Sequence, residues 1–318
     1  MYILGFDIGG TKSAVLTAEQ DEKGLSFLKK EVCPTDCEVS PFVMLDRLIA
    51  MAEGILDKRP DAIGISCGGP LDAERGVILG PPNLPGWDCV PIVSYMEEHF
   101  GVKASLQNDA NACALAEWRF GAGQGCRNMI FMTFGTGLGA GLILDGRLYE
   151  GTNGNAGELG HIRLAPTGPV GFGKAGSFEG FCSGGGIAQL GYEMGKKSVA
   201  EGKRPLYFGE NATQKDVTAK SIAEAAMQGD ELAREVYRTS GTYLGKGLSI
   251  LIDLLNPEAI VIGSVFARSH ALLWEAAKTE IEKEALAISA GVCRVLPAAL
   301  GEQIGDYAAV ATALGKGE

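Results

Sequence analysis

Tyr2-Ile3-Leu4-Gly5-Phe6-Asp7-Ile8-Gly9-Gly10-Thr11-Lys12-Ser13-Ala14-Val15-Leu16-Thr17-Ala18 reads as a strand, a turn and a second strand. Residues 2–8 are apolar and β-rich, Gly9-Gly10 reverses the chain, and Ser13 to Ala18 resumes an extended pattern, followed by a third strand near Leu25–Val32. The same arrangement returns at Met129–Phe134, Gly135-Thr136-Gly137-Leu138-Gly139-Ala140-Gly141 and Leu142–Leu144. Helices and strands alternate after each. The first half continues with a helical pattern over 41–57, a strand at Ala62–Cys67, a helix near Ile92–Phe100, a strand at Lys103–Gln107 and a helix over Asp109–Phe120 capped by Asn108 or Asp109. The second half has an irregular stretch over 150–186, a polar loop over 195–216, and a helical pattern from Thr218 to Leu255 broken at Gly229. A strand at Ala259–Ile262, an amphipathic helix over 270–288, a strand at Arg294–Leu296 and a helix at Tyr307–Leu314 complete it. One scheme used twice predicts two similar α/β lobes, with the boundary near 118–128.

The two glycine turns are the first candidates for chemistry. Glycine lets a turn reach positive φ and brings N–H groups close to a ligand, and consecutive N–H groups form a nest suited to phosphate. Asp7, Gly9, Gly10, Thr11 and Lys12 form one candidate segment and Gly135, Thr136 and Gly137 the other. Thr11 and Thr136 add hydroxyl donors, and Asp7 is placed to orient a hydrated Mg²⁺. Plain hairpin turns are the competing reading; two such turns opening two lobes argue against it. A dinucleotide fingerprint is excluded because the glycines of 135–141 lead into the strand-like Leu142-Ile143-Leu144 where that motif needs a helix. A P-loop is excluded because Gly10-Thr11-Lys12-Ser13 has the wrong order and spacing.

Asn108-Asp109-Ala110-Asn111 lies at a strand end and a helix start, where open α/β sheets bind ligands. Asp109 is either a helix cap or a general base for a substrate hydroxyl, since a carboxylate is ionised at neutral pH. Glu158-Leu159-Gly160-His161 and Glu179 fall in the irregular stretch. They supply the donors and acceptors that a polyol needs, or are solvated loop charges.

Composition narrows the class. The 318 residues are 46% hydrophobic and 21% charged, with 46 glycines and a net charge of −11. That balance suits a soluble two-domain protein and opposes nucleic acid as a partner, whose phosphates are bound by Lys and Arg. The eight cysteines, Cys33, Cys37, Cys67, Cys89, Cys113, Cys126, Cys182 and Cys293, form no C-x-x-C pair and read as reduced thiols of a cytoplasmic protein. The N-terminus lacks the pattern of a signal peptide, and no apolar run reaches the ~18 residues of a membrane span.

Taken together, these motifs resemble the ROK family of bacterial sugar kinases and repressors across essentially the whole chain. The resemblance rests on Asp7–Thr11, Gly68-Gly69-Pro70, Asn83, Asn108-Asp109-Ala110-Asn111, Gly135–Gly141, Glu158–His161 and the Glu179 region, in the family's order. It implies a two-lobed actin-like ATPase (ribonuclease H-like) fold of the sugar kinase type. Residues 1–118 and the C-terminal helix, about 302–318, would form one lobe, and 119–301 the other with the sugar-binding loop and nucleotide site. It implies ATP and Mg²⁺, Asp109 as the catalytic base, sugar contacts at Gly69, Asn83, Asn108, Asp109, Glu158, His161 and Glu179, and nucleotide contacts at the two glycine turns and Gly263. The lobes are expected to close around a hexose, in a homodimer.

The implied reaction is phosphorylation of a hexose, with glucose at the 6-hydroxyl the favoured substrate. N-acetylmannosamine, N-acetylglucosamine, fructose, allose or a non-catalytic sugar-binding role are the alternatives. The family's repressors carry an N-terminal helix-turn-helix domain, whereas this chain opens on the first strand. Zinc-containing members carry C-x-C-G-x-x-G-C-x-E after the histidine; here Val170, Phe172 and Ser177 stand at the cysteine positions, while the glycines and Glu179 align. Val and Phe cannot ligate zinc, so no structural zinc is expected, and Phe172, Phe178 and Phe181 are expected to hold the loop by packing. At Gly263-Ser264-Val265 the chain has fewer glycines than the family before its adenosine site.

Overall fold

The computed structural model describes residues 1–317. Two five-stranded sheets carry the fold. The first comprises β1 (Tyr2–Ile8), β2 (Lys12–Asp21), β3 (Gly24–Pro34), β4 (Ala62–Cys67) and β5 (Ala104–Asn108), in the order β3-β2-β1-β4-β5. The second comprises β6 (Met129–Phe134), β7 (Leu138–Leu144), β8 (Arg147–Tyr149), β9 (Ala259–Ile262) and β10 (Arg294–Pro297), in the order β8-β7-β6-β9-β10. The same order, third-second-first-fourth-fifth, occurs twice, as the repeated strand–turn–strand pattern predicts. In the first sheet β1 pairs antiparallel with β2 and parallel with β4; in the second, β9 pairs parallel with β6 and β10.

The chain divides into two compact units. One contains Met1–Arg127, Gly141–Ala156 and the residues from Ala299 onward; the other contains Asn128–Ala140 and Gly157–Ala298. In the first, α1 (Pro41–Ile55) and α2 (Ile92–Phe100) flank a core of Leu4, Phe6, Ile8, Leu45, Leu48, Ile63, Ile65 and the fully buried Trp87. Ser40 caps α1, its hydroxyl accepting from Val43 N–H at 3.4 Å. The helix α3 (Asp109–Phe120) follows β5 directly. Near its end the buried Glu117 accepts from the backbone N–H groups of Ala122 at 2.8 Å and Leu300 at 2.9 Å. Burying that charge is tolerable because both oxygens are hydrogen-bonded.

In the other unit lie α4 (Phe178–Phe181), α5 (Gly184–Ala200), α6 (Ala219–Met227), α7 (Glu231–Leu255), α8 (Val265–Glu284) and α9 (Ala287–Ala290). The predicted break at Gly229 separates α6 from α7, and Asp230 caps α7 through Ala233 N–H at 2.9 Å. A Cβ on Gly241 or Gly245 would meet the carbonyl of Leu273 or Ala277 at 2.5 Å, so these glycines let α8 pack against the backbone of α7. The loop expected over 195–216 is corrected at its start, because α5 continues to Ala200. The helix expected from 270 begins at Val265 and carries a non-helical residue at Ser269. The last helix, α10 (Ile304–Ala313), returns to the first unit and packs on β1 and β4. Gly64 makes that approach possible, since a Cβ there would stand 1.9 Å from the Ala309 carbonyl. Among the described residues no helix is long and apolar enough to cross a membrane.

Candidate functional site

In the first unit, β1, β4 and β5 run parallel, so the residues at their ends come together. Asp7 lies at the end of β1, half-buried, with Gly305 of α10 against its carboxylate; a Cβ at Gly305 would stand 2.3 Å from Asp7 Oδ2. Gly10 lies against Asn83, where a Cβ would meet the Asn83 carbonyl at 2.3 Å. Asn83 also lies beside Gly68, and the Asn108 side-chain nitrogen would stand 2.8 Å from a Cβ at Gly69. Four of the predicted motifs, spread over a hundred positions of sequence, thus meet around the first glycine turn. The turn's own geometry differs from a nest using every N–H, because Gly9 N–H donates to the Lys12 carbonyl at 3.1 Å.

Asp109 opens α3 and is exposed. Asn108 is the helix cap: its Oδ1 accepts from Ala110 N–H at 3.0 Å, and Asp109 Oδ1 accepts from the same N–H at 2.8 Å. The cap role and an outward-facing carboxylate therefore coexist. Burial, then the neighbouring carboxylates of Asp306 and Asp109, raise the Asp7 pKa to about 6, against the opposing pull of Lys30 and Lys12. The thiol of Cys113 is pushed well up by burial and then by Asp109 and Asp7. Asp7, Asp109 and Asp306 thus stand close enough at the strand ends for their charges to act on one another. Asp306 and its ion-pair partner Lys30, whose Nζ lies 2.6 Å from the carboxylate, carry no motif in the sequence.

In the second unit, β6 and β7 are joined by Gly135–Gly137. Gly135 N–H donates to the Gly137 carbonyl at 3.1 Å, and the Gly135 carbonyl accepts from Gly184 N–H at 2.7 Å. Thr133 Oγ1 accepts from Gly139 N–H at 2.9 Å, fixing the far side of the turn. Glu179, at the second position of α4, accepts from Leu138 N–H at 2.9 Å and lies against Gly137. Gly160 packs on the Leu138 carbonyl and the Glu179 stem, which places Glu158, just before a single 3₁₀ turn, and His161, its last residue, near the same glycine turn. Gly263, at the end of β9, is buried and donates to the Met132 carbonyl at 2.9 Å.

The loop carrying Glu179 is held differently from the sequence expectation. Phe178 and Phe181 are buried, and Phe181 stacks on Tyr243 at 3.5 Å. Phe172 is not part of that packing; it is 73% exposed, with φ of 41°, and meets the His161 ring edge-on at 5.1 Å. Its place at the tip of the short hairpin pairing Val170–Gly171 with Lys174–Ala175 turns it outward. Ser177 caps α4 through Gly180 N–H at 3.1 Å. The Gln189 side chain brackets Val170, accepting from its N–H at 3.0 Å and donating to its carbonyl at 2.8 Å. Among the described residues no cluster of three or more His, Cys, Asp or Glu is placed to hold a metal ion.

One feature of this unit was not anticipated. Gly185, Ala188 and Gln189 of α5, with Thr213, Gln214 and Lys215, line an open cavity of about 800 Å³. Gly185 faces the Thr136 carbonyl, so the cavity adjoins the second glycine turn. Ser183 caps α5 through Gly186 N–H at 2.9 Å, leaving a capped helix start beside it. The Ser183–Gly186 run was the available signal, a cap residue before a helix, but three glycines hid the helix.

The chain matches the ROK family over residues 3–316. It is 34% identical over 262 residues to the glucokinase of Streptomyces coelicolor, covering 82% of this chain and 80% of that one. It is 35% identical over 228 residues to the DNA-binding transcriptional dual regulator NagC of Escherichia coli, covering 71% of this chain and 53% of that one. Among solved structures it superposes on a ROK family glucokinase from Streptomyces griseus in complex with glucose and AMPPNP, with 31% identity, 98% of each chain covered and a TM-score of 0.76. The chain belongs to the ROK family, and its two sheets form the α/β actin-like ATPase fold of the family's sugar kinases.

Proposed function

We propose that the protein is an ATP-dependent hexose kinase that phosphorylates glucose at the 6-hydroxyl. The observation that carries this reading is the grouping at the end of β1, β4 and β5. An outward-facing carboxylate, Asp109, shares a helix start with the Asn108 cap, beside Gly69 and Asn83 and the first glycine turn. Glucokinases among its relatives at 30–34% identity support glucose as the acceptor.

In this reading Asp109, exposed at the start of α3, accepts the proton of the attacking hydroxyl. Asn83, Asn108, Glu158 and His161 orient the sugar by hydrogen bonds, with the Gly69 backbone beside it. Backbone N–H groups of the two glycine turns neutralise the phosphates, and the cavity beside Thr136 receives the rest of the nucleotide. Positioning and electrostatics carry most of such a transfer. Asp7 would hold a hydrated Mg²⁺, because a carboxylate raised by burial and by Asp306 and Asp109 would gain from a nearby dication. When bound, Mg²⁺ supplies charge neutralisation on the phosphates. Glu179, seated on Leu138 N–H, ties the sugar loop to the second turn.

A second reading, a sugar-binding regulator without turnover, is favoured by the 35% identity to NagC over 228 residues. A coupled ADP-release assay with MgATP and a panel of glucose, fructose, mannose, allose and the N-acetylhexosamines separates the two. Turnover with glucose ahead of the others supports the proposal. Sugar binding without ADP release supports the regulator.

A further inference from the structure

The carbonyls of the first glycine turn are braced by the residue after β3. Thr35 Oγ1 donates to the Gly9 carbonyl at 2.6 Å, and Thr35 N–H donates to the Thr11 carbonyl at 3.0 Å. Ser13 Oγ lies 2.8 Å from Thr35 Oγ1. A carbonyl only accepts, so the single hydroxyl proton of Thr35 goes to Gly9, and Ser13 is the donor in the second bond. Ser13 is fully buried, which leaves its hydroxyl proton few other places to go. Cys37 Sγ, two residues further on, reaches the Gly10 carbonyl at 3.9 Å.

Three consecutive carbonyls of the turn therefore face the segment Thr35–Cys37. In a trans peptide the C=O and the following N–H point in opposite directions. Holding the carbonyls of Gly9, Gly10 and Thr11 toward Thr35–Cys37 thus directs the N–H groups of Gly10, Thr11 and Lys12 to the opposite face. Gly9 N–H is already engaged with Lys12, so the Gly9–Gly10 peptide is the first free to present its N–H, and Thr35 sets its orientation. The glycines make that peptide soft, because without a Cβ it could rotate.

We infer that Thr35 is a positioning residue for nucleotide phosphate: its hydroxyl, held by Ser13, fixes the Gly9–Gly10 peptide so that its N–H faces the anion. The inference rests on the kinase reading only in assigning a nucleotide phosphate to this turn. It predicts an effect on the nucleotide that is not shared by the sugar.

The test compares wild type with Thr35→Val, Thr35→Ser and Ser13→Ala. Two readouts are taken: the separate KM values for MgATP and glucose, and the Kd of MgADP by calorimetry. Thr35→Val keeps the shape and removes the donor, so the MgADP Kd and the MgATP KM rise about 5- to 10-fold, as expected for one lost hydrogen bond, while the glucose KM stays within about twofold. Thr35→Ser restores both nucleotide constants to within about twofold, because it keeps the hydroxyl. Ser13→Ala loosens the hydroxyl without deleting it, and weakens MgADP by about 2- to 3-fold, a readout that survives if the valine variant folds poorly. A purely structural role would move both substrates together, and that result overturns the inference. Unchanged MgADP affinity in Thr35→Val, or in Ser13→Ala should the valine variant not fold, overturns it equally. Should wild type bind MgADP yet phosphorylate no sugar, the kinase reading falls and the MgADP comparison alone decides the role of Thr35. A wild type that binds no MgADP overturns it.

Discussion

The two glycine turns have the same sequence grammar and opposite surroundings. The turn after β1 is gripped through its carbonyls by Thr35, and the backbone carbonyl and Cβ of Asn83 crowd its Gly10. The turn after β6 is gripped through an N–H by a carboxylate, Glu179, and through a carbonyl by the start of α5. In the kinase reading both turns offer N–H groups to phosphate, but the second has already given one of its own, Leu138 N–H, to the carboxylate of Glu179. A glycine turn between two strands is therefore a blank fitting, and its chemistry is decided by what the rest of the chain brings to it. Both turns are adapted to charge, the first by leaving donors available and the second by coupling a donor to the loop that carries Glu158 and His161.

The largest effect that separates the two regions is expected at Asp109, at the helix start beside the first turn's motifs. Asp109→Asn keeps the cap at Asn108 and should lower kcat by about 10³-fold while leaving MgADP affinity near wild type. Near-normal kcat would remove the base from the first region and with it the asymmetry.

A pH measurement probes the same region. Asp7 is raised from its ordinary 3.8 to about 6, burial first and then Asp306 and Asp109. A raised acid contributes its full stability below its unfolded pKa and loses it as pH rises through the folded one, here from about 4 to about 6. Asp7→Asn removes that loss. Without Mg²⁺, the variant should be more stable than wild type by about 3 kcal/mol near pH 7.5, with the gain fading as pH falls toward about 4. Urea unfolding at both pH values checks the sign. A variant less stable than wild type near neutrality would contradict the picture of a carboxylate held at a cost.

Glu179 probes the other region. Removing a charged acceptor from Leu138 N–H should destabilise Glu179→Ala by about 1.5–3 kcal/mol, with Glu179→Gln recovering most of it because an amide oxygen still accepts. Equal stability for alanine and glutamine variants would show that Leu138 N–H does not need the side chain.

The smallest difference is steric and sharpens the comparison directly. An alanine at Gly10 would press on the Asn83 backbone, whereas one at Gly137 meets the movable end of Glu179. Gly10→Ala should cost about 1–3 kcal/mol and Gly137→Ala less than about 1 kcal/mol, read by thermal unfolding. The reverse order would mean that the second turn is the more rigid fitting.

Much of the fold was legible because its signals are local. The apolar runs of β1, β4 and β6, a cap at Asn108 or Asp109 and the break at Gly229 each follow from neighbouring residues. Gly10, Asn83, Gly69 and Asn108 were legible as motifs, although only the parallel pairing of β1, β4 and β5 explains why they meet. The start of α5 was not legible, since Gly184-Gly185-Gly186 opposes helix formation by propensity. Packing overrides it: a Cβ on Gly186 would stand 1.9 Å from the Gly180 carbonyl, so glycine is required there. The cavity escaped for a different reason, because Gln189 and Thr213–Lys215 come from separate segments with no shared motif. Phe172 was misplaced because an aromatic residue in a glycine-rich loop reads as packing, whereas the backbone turns it to solvent beside His161.

The measurement that bears most directly on the kinase reading is phosphorus NMR of the wild-type protein with MgATP and glucose. The account predicts equal amounts of ADP and a new phosphomonoester whose phosphorus couples to the protons on carbon 6 of the sugar. Inorganic phosphate in place of the monoester, or no change in ATP while glucose is bound, would contradict it.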